Sequence, residues 1–257
     1  MPRVVALVVS MVQRARISEA LRGTASVQFR DRAYKLLGAP VDAQVDMVIT
    51  QLCDRAGIST IPAIAALRQR FPSLPILAYV GLTPQEVRGL VAATRAGVNS
   101  AIVEGVDDAV GVLGARLTAA GSGQTSELIM DAVRPLVPPS VWPFFRCCAI
   151  HGVRPIDVTD AAKTLGIDRK TIRNRLVRAG LPPPRSVIAW NRLLHAARLL
   201  DDPGRRVEHV ATILEFPSAS AFDNMLRRYA ALTPGELRTR GAFAWLLDTY
   251  IAALRGD

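Results

Sequence analysis

VTDAAKTLGIDRKTIRNRLVRA, residues Val158–Ala179, carries the sharpest local pattern in the chain. Thr159 can cap a helix whose apolar members Ala161, Ala162 and Leu165 recur at three- and four-residue steps; Gly166 makes a turn, and Asp168 caps a second helix. That second helix buries Ile172 and Leu176, one turn apart, and leaves Lys170, Arg173, Asn174 and Arg178 on its other faces. Arg169, Lys170, Arg173, Arg175 and Arg178 form a run of cations with no acid between them. A helix lying in the DNA major groove needs this division: an apolar stripe for its own domain, cations near phosphates, and Arg, Lys or Asn at base edges.

The layout repeats downstream. Val207–Leu214 reads as a short helix, Phe216-Pro217 as the turn, and Ser218–Tyr229 as a helix burying Phe222 and Leu226. Between the copies, Ser186–Leu200 is amphipathic, with Ile188, Leu193, Ala196, Ala197 and Leu200 on its apolar side, and Asp201-Asp202-Pro203-Gly204 stops it. A last amphipathic stretch, Phe243–Leu254, reads as a helix capping the domain, with dimerisation as the other reading.

From Pro138 to Arg240 these residues resemble the AraC-type DNA-binding domain, two helix-turn-helix units joined by a long helix. The resemblance is carried by Arg192 to Leu200 (RLLHAARLL), Val207 to Phe216, Ser220-Ala221-Phe222, and Leu232-Thr233-Pro234-Gly235-Glu236-Leu237-Arg238. Three positions depart from the family pattern: Glu215 and Ala231 stand where Gly is common, and Leu237 where Tyr is common. The resemblance implies that Lys170, Arg173 and Asn174 face the groove, with Arg169 and Arg178 on phosphates. Arg173 suits the two acceptors of guanine, and Asn174 suits adenine. In the second unit the matching positions are Ala219, Ser220, Asp223 and Asn224; Arg227 and Arg228 at the end of that helix, and Arg205-Arg206 before it, read either as backbone contacts or as solvated surface. Asp223 would either accept from a cytosine amino group or serve capping and folding, so the second unit should contribute less affinity than the first.

The first 120 residues alternate short β-branched runs with helical segments, the signature of a parallel sheet. The expected strands are Val4–Val9, Ser26–Phe29, Met47–Thr50, Ile76–Val80 and Ala101–Val103; the helices are Ile17–Leu21, a piece near Arg32–Leu37, Ile61–Arg70, Pro84–Arg95 and Asp107–Leu117. The expected fold is therefore α/β, a five-stranded parallel doubly wound sheet over 1–120, followed by a linker over 121–137 that opens on the small, polar Gly121–Ser126. An all-α domain with two helix-turn-helix units fills 138–257.

The five βα units resemble the receiver domain of response regulators, whose chemistry needs an acid pair after the first strand, an acceptor Asp ending the third, a hydroxyl residue after the fourth and a Lys after the fifth. Here those places read Val9-Ser10-Met11, Gln51, Val80-Gly81 and Glu104-Gly105. A carboxamide is no nucleophile, and Glu104 would repel a phosphoryl group where a Lys attracts it. Asp54, three residues beyond Gln51, reads as an ordinary loop carboxylate. The resemblance thus implies a pseudo-receiver with phosphorylation-independent input, and places its interface in Pro84–Leu117.

The net charge of +10 over 257 residues suits a polyanionic partner. No apolar run is long enough to span a bilayer or resemble a signal peptide, so the chain reads as cytoplasmic. Cys53, Cys147 and Cys148 read as buried apolar fillers. His151, His195 and His209 are scattered, no Cys/His set has zinc spacing, and Gly111-Val112-Leu113-Gly114 lacks the ending of a phosphate loop. No enzyme site, cofactor or metal is expected. The expected partners are double-stranded DNA, a second copy as homodimer, and RNA polymerase or another regulator protein. The competing reading is an interaction scaffold or antagonist that no longer reads DNA.

Overall fold

The computed structural model describes residues 2–38, 45–109 and 111–256, with the backbone alone taken for 114–122. Packing divides the chain into two compact units, Met1–Gly121 with Asp202–Gly204, and Ser122–Asp201 with Arg205–Asp257.

The first unit is built on five parallel strands, β1 (Arg3–Leu7), β2 (Ser26–Arg30), β3 (Met47–Thr50), β4 (Ile76–Val80) and β5 (Ser100–Val103), in the order β2-β1-β3-β4-β5. This is the flavodoxin-like order, with the topological switch point between β1 and β3. Register places Val4 beside Met47 and Val5 beside Val48. Alternate residues of each strand feed two cores, as a pleat covered on both faces requires. Val5, Leu7, Val48, Ile76 and Val80 meet Ile64, Leu67 and Phe71 on one face; Val4, Ala6, Ile49, Leu77, Tyr79 and Ile102 meet Ile17, Leu21 and Leu113 on the other. The crossover helices are α1 (Met11–Ala20), α2 (Ile61–Arg70) and α3 (Pro84–Ala96); residues 35–38 are also helical.

Two expectations shift here. The first helix starts at Met11, well before Ile17, because Met11 and Val12 are exposed and give the sequence no apolar period to read. Cys53 is exposed, while Cys147 and Cys148 are buried as fillers.

The expected linker is not one. Helix α4 runs Val112–Val133, through the Gly121–Ser126 stretch, and is followed by a 3₁₀ turn at Arg134–Leu136. Its last turns belong to the second core: Ile129, Met130 and Val133 are buried there with Val137. Ser126, read as linker polarity, is buried and donates through Oγ to the carbonyl of Ala149 at 2.8 Å. A buried hydroxyl that satisfies a carbonyl looks identical, in sequence, to a solvated one.

The second unit comprises α5 (Trp142–His151), α6 (Val158–Leu165), α7 (Arg169–Arg178), α8 (Pro184–Leu200), α9 (Val207–Ile213), α10 (Ala219–Ala230), α11 (Pro234–Thr239) and α12 (Ala242–Arg255). The axis is α8. It is buried on almost every face, including Val187, Trp190, Leu193, Leu194, Ala197 and Leu200. Helix α12 closes over it, burying Phe243, Leu246, Tyr250 and Leu254, with the Tyr250 ring stacked on Trp190 at 5.5 Å between centroids. Inside this core His195 donates through Nε2 to the carbonyl of Ala149 at 2.8 Å, and burial pushes its pKa down to about 4. Gly152 permits the close approach of that ring, since a Cβ there would lie 2.5 Å from His195 Cδ2. No helix among the described residues is long and apolar enough to cross a membrane.

Candidate nucleic-acid interface

Helix α6 begins at a capping box, but its cap is Asp157, not Thr159. The Asp157 carboxylate accepts from the backbone N–H of Thr159 at 2.6 Å and of Asp160 at 2.8 Å, and Asp160 returns an oxygen to the N–H of Asp157 at 3.0 Å. Those bonds, that of the Asp160 N–H foremost, hold the Asp157 carboxyl below its ordinary range. Gly166 then takes the left-handed conformation at φ 64°, which only Gly adopts without cost. The turn closes through Gly166 N–H to Lys163 O at 3.2 Å and Ile167 N–H to Ala162 O at 3.1 Å.

Helix α7 follows. Asp168 occupies its cap position without making a side-chain cap bond, contrary to the expectation for it. Ile172 and Leu176 are buried, whereas Arg169, Lys170, Arg173, Asn174 and Arg178 are all exposed. Arg175 alone of the cation run is turned to the protein, donating to Ser140 O at 3.2 Å. Cations in a helix's first turn oppose its dipole, at a cost of about 0.3–1 kcal/mol each. Arg169 and Lys170 occupy that turn with no acid among them, an arrangement that becomes favourable when an anion such as a phosphate faces it.

The second unit repeats the backbone device with different residues. Helix α9 ends with Glu215 N–H to Thr212 O at 3.1 Å and Phe216 N–H to Ala211 O at 2.8 Å, the same two bonds that close the first turn. Glu215 is left-handed at φ 53°, and Ala231, which ends α10, is left-handed at φ 55°. Among the described residues these are the two non-glycine positions with positive φ, and they are two of the three departures from the family pattern.

Arg192, which the sequence reading quoted only as part of a motif, holds this turn. It is buried on α8, donates through Nη2 to Leu214 O at 2.8 Å and stacks over the Phe216 ring at 4.3 Å. Burial lowers its pKa, while the nearby charge of Glu215 acts the other way. Its place on the apolar side of the helix, four residues from both Ile188 and Ala196, is the signal that could have marked it.

Ser218 caps α10, its side chain accepting from Ala221 N–H at 3.0 Å. Phe222, Leu226 and Ala230 are buried. Ser220, Asn224, Arg227 and Arg228 are exposed, Ala219 and Asp223 are half-buried, and Arg228 leans over the Tyr229 ring at 5.9 Å. Asp223 is paired with Arg227, Oδ2 to Nε at 3.0 Å. The expected groove-facing residues of each unit therefore share one helix, and within α10 they include an internal ion pair.

In the first unit, the carboxyl edge of the sheet is occupied by a hydrogen-bonded relay. Gln51 accepts from Val9 N–H at 2.8 Å and donates to Gln13 Oε1 at 2.9 Å; Gln13 donates to Glu104 Oε2 at 2.8 Å. Arg16 lies 3.7 Å from Glu104 and 3.5 Å from buried Asp108, which also accepts from Tyr79 OH at 2.6 Å and Gly105 N–H at 2.8 Å. Burial, then Asp108, raises the Tyr79 pKa far above its ordinary value. Glu86 accepts from the N–H of Gly81 at 3.0 Å. Asp54 is more than a loop carboxylate: it is buried and accepts from the N–H groups of Ala33, Ala56 and Ile58. Burial raises its pKa, but those three bonds outweigh it and the net shift is downward.

Residues 161–240 match the family model described as a helix-turn-helix domain. No curated protein matches the chain. Among solved structures it is similar to the signal receiver domain of an HD domain-containing protein from Pseudomonas fluorescens Pf-5, at 20% identity, covering 49% of this chain and 91% of that one with a TM-score of 0.43. It is also similar to full-length FixJ from B. japonicum, at 14% identity over 90% of this chain and 98% of that one, TM-score 0.43. For RcsB from Salmonella enterica serovar Typhimurium bound to promoter rprA, the values are 16%, 74%, 98% and 0.37. Residues 161–240 thus fall in a helix-turn-helix domain of the AraC type, carried in one chain with a flavodoxin-like α/β unit.

Proposed function

We propose that this protein is a sequence-specific transcription regulator whose receiver-like unit takes its input without aspartyl phosphorylation. The observation that carries the DNA-reading part is α7: a helix-turn-helix second helix with Arg169, Lys170, Arg173, Asn174 and Arg178 exposed and no acid among them. In this reading Arg173 and Asn174 meet base edges, Lys170 reaches the groove, and Arg169 and Arg178 bind phosphates. Ser220, Asn224, Arg227 and Arg228 add a second, weaker contact, and two recognition helices of one domain enter successive major grooves about 34 Å apart.

The relay through Gln51, Gln13 and Glu104 supports the second part. It puts a carboxamide where a receiver needs a nucleophile and engages that carboxamide at both its oxygen and its nitrogen. Input then comes from a partner surface. Val87 and Val91, one turn apart on α3, are 49% and 55% exposed, which supports a homodimer or a contact with polymerase or another regulator through this part of the unit.

Selection of bound fragments from genomic DNA, with binding measured across salt, tests the reading. The expected result is one recurrent sequence, with affinity falling steeply as salt rises. Binding that ignores sequence, or no binding, would contradict it. Incubation with acetyl phosphate should leave both mass and DNA affinity unchanged; a phosphorylated product would refute the phosphate-independent part.

A further inference from the structure

The outward face of α10 carries Ser220, Asp223, Asn224 and Arg227 at three- and four-residue steps, opposite buried Phe222, Leu226 and Ala230. Asp223 is the anomaly, a negative charge on the face assigned to a polyanion. Its two oxygens decide what it can do there. Oδ1 is buried and makes no hydrogen bond, and Oδ2 accepts from Nε of Arg227 at 3.0 Å. Oδ1 is thus closed to a cytosine amino group, and Oδ2 is already engaged by Arg227.

An arginine held at Nε has the plane of its guanidinium fixed, and its two terminal nitrogens are left pointing outward as a fork. Such a fork matches two acceptors lying in one plane, which DNA offers as O6 and N7 of guanine or as two oxygens of one phosphate. Orientation before binding lowers the cost of ordering a long side chain. The Arg227 side chain is 57% exposed, so its outer edge is accessible. The contrast with α7 sharpens the point, because that helix has several cations and no acid to orient any of them.

We infer that Asp223 is a positioning residue that fixes the guanidinium of Arg227, and that Arg227 makes the second unit's contact with a planar pair of acceptors on DNA. The inference rests on the DNA-reading function proposed above, and goes beyond it by naming which residue contacts and which one orients. It also reconciles the acid with its place on the helix. The carboxylate is neutralised by Arg227 in the free protein and need not approach a phosphate.

The test uses the full chain and the DNA that the wild type selects, with affinity, base preference and salt slope measured for Asp223→Ala, Asp223→Asn, Arg227→Ala and Arg227→Lys, and for the double alanine variant. Arg227→Ala and Arg227→Lys should each weaken binding about tenfold, the value of one good bidentate contact. Asp223→Ala should weaken it in the same direction, and the double variant should be no worse than Arg227→Ala. Asp223→Asn keeps an oxygen for Nε and should restore most of the loss. A relaxed preference at one G·C pair identifies guanine as the acceptor; a uniform loss with a salt slope smaller by about one identifies a phosphate. Tighter binding by Asp223→Ala, additive losses in the double variant, or altered preference from Asp223→Ala with none from Arg227→Ala would each overturn the inference. Arg173→Ala serves as control: if it weakens binding while the α10 variants change nothing, the inference fails and the DNA-reading function stands. A wild type that selects no DNA defeats both.

Discussion

In the first helix-turn-helix unit the chain turns on Gly166 at φ 64°, and in the second it makes the same turn on Glu215 at φ 53°, closed by the same pair of backbone bonds. The helices that follow bury matching residues, Ile172 and Leu176 in one and Phe222 and Leu226 in the other. Their outward faces have little in common. Helix α7 shows Arg169, Lys170, Arg173 and Arg178 with no acid, whereas α10 shows Asp223 bound to Arg227, with Arg228 beyond them. A frame set by backbone geometry and a few apolar anchors tolerates wide change in the chemistry it presents. The second turn even tolerates the loss of glycine, with Arg192 holding Leu214 O and the Phe216 ring beside it.

The largest effect concerns what the two units share. His195, on the common axis α8, has its pKa lowered from the ordinary 6.5 to about 4 by burial. Its neutral form is the one that folds, so its contribution is complete above pH 6.5 and is lost as the pH falls toward 4. The shift corresponds to roughly 3 kcal/mol. Chaotrope unfolding followed from pH 7 to pH 4 should show this loss, and His195→Gln should flatten it. Both units should weaken together; one unit melting alone would break the idea of a common frame.

Next in size is the contrast in chemistry. Arg173→Ala should cost about 1–3 kcal/mol at the preferred DNA site and relax its base preference. An unchanged preference would remove Arg173 from the base-reading role.

The backbone comparison can be tested in both directions. Ala231 pays for a left-handed conformation that glycine adopts freely, so Ala231→Gly should stabilise the protein by about 1 kcal/mol. Gly166→Ala should destabilise by a similar amount, since nothing lies within 4 Å of the added methyl and only the backbone strain counts. Thermal denaturation reads both. Equal and null effects would mean the left-handed turns are not what unites the units.

The smallest effect is on salt. Arg169→Ala should reduce the slope of log affinity against log salt by about one, while Asn224→Ala should leave it unaltered.

Much of this architecture is legible in the sequence, because strands and helices with one or two apolar faces announce their period. Met47–Thr50, Ile76–Val80 and Ile61–Arg70 fall where the apolar pattern puts them. The misses have different causes. Thr159 looked like the cap of α6, but Val158 is already helical and Asp157 precedes it, with an acid three residues on to complete the box. Gly121–Ser126 looked like a linker, yet the chain is helical there and Ser126 answers a carbonyl in a core. Cys53 looked like a filler and is exposed. The partner of Ser126 lies elsewhere in the fold, where composition is silent, whereas the box at the start of α6 is local to Asp157 and Asp160. The same holds for the interface. The exposure of the α7 cations follows from helical period, but the pairing of Asp223 with Arg227 depends on rotamers, and the role of Arg192 on a turn far along the chain.

The central claim is that one frame carries two unequal readers. The most direct measurement is the equilibrium affinity of the full chain for its selected DNA, at two salt concentrations, after alanine replacement of Lys170, Arg173 and Asn174 together, and separately of Ser220, Asn224 and Arg227 together. The account predicts that the first triple variant loses more affinity and more salt dependence than the second. Equal losses, or a greater loss from the second, would contradict it.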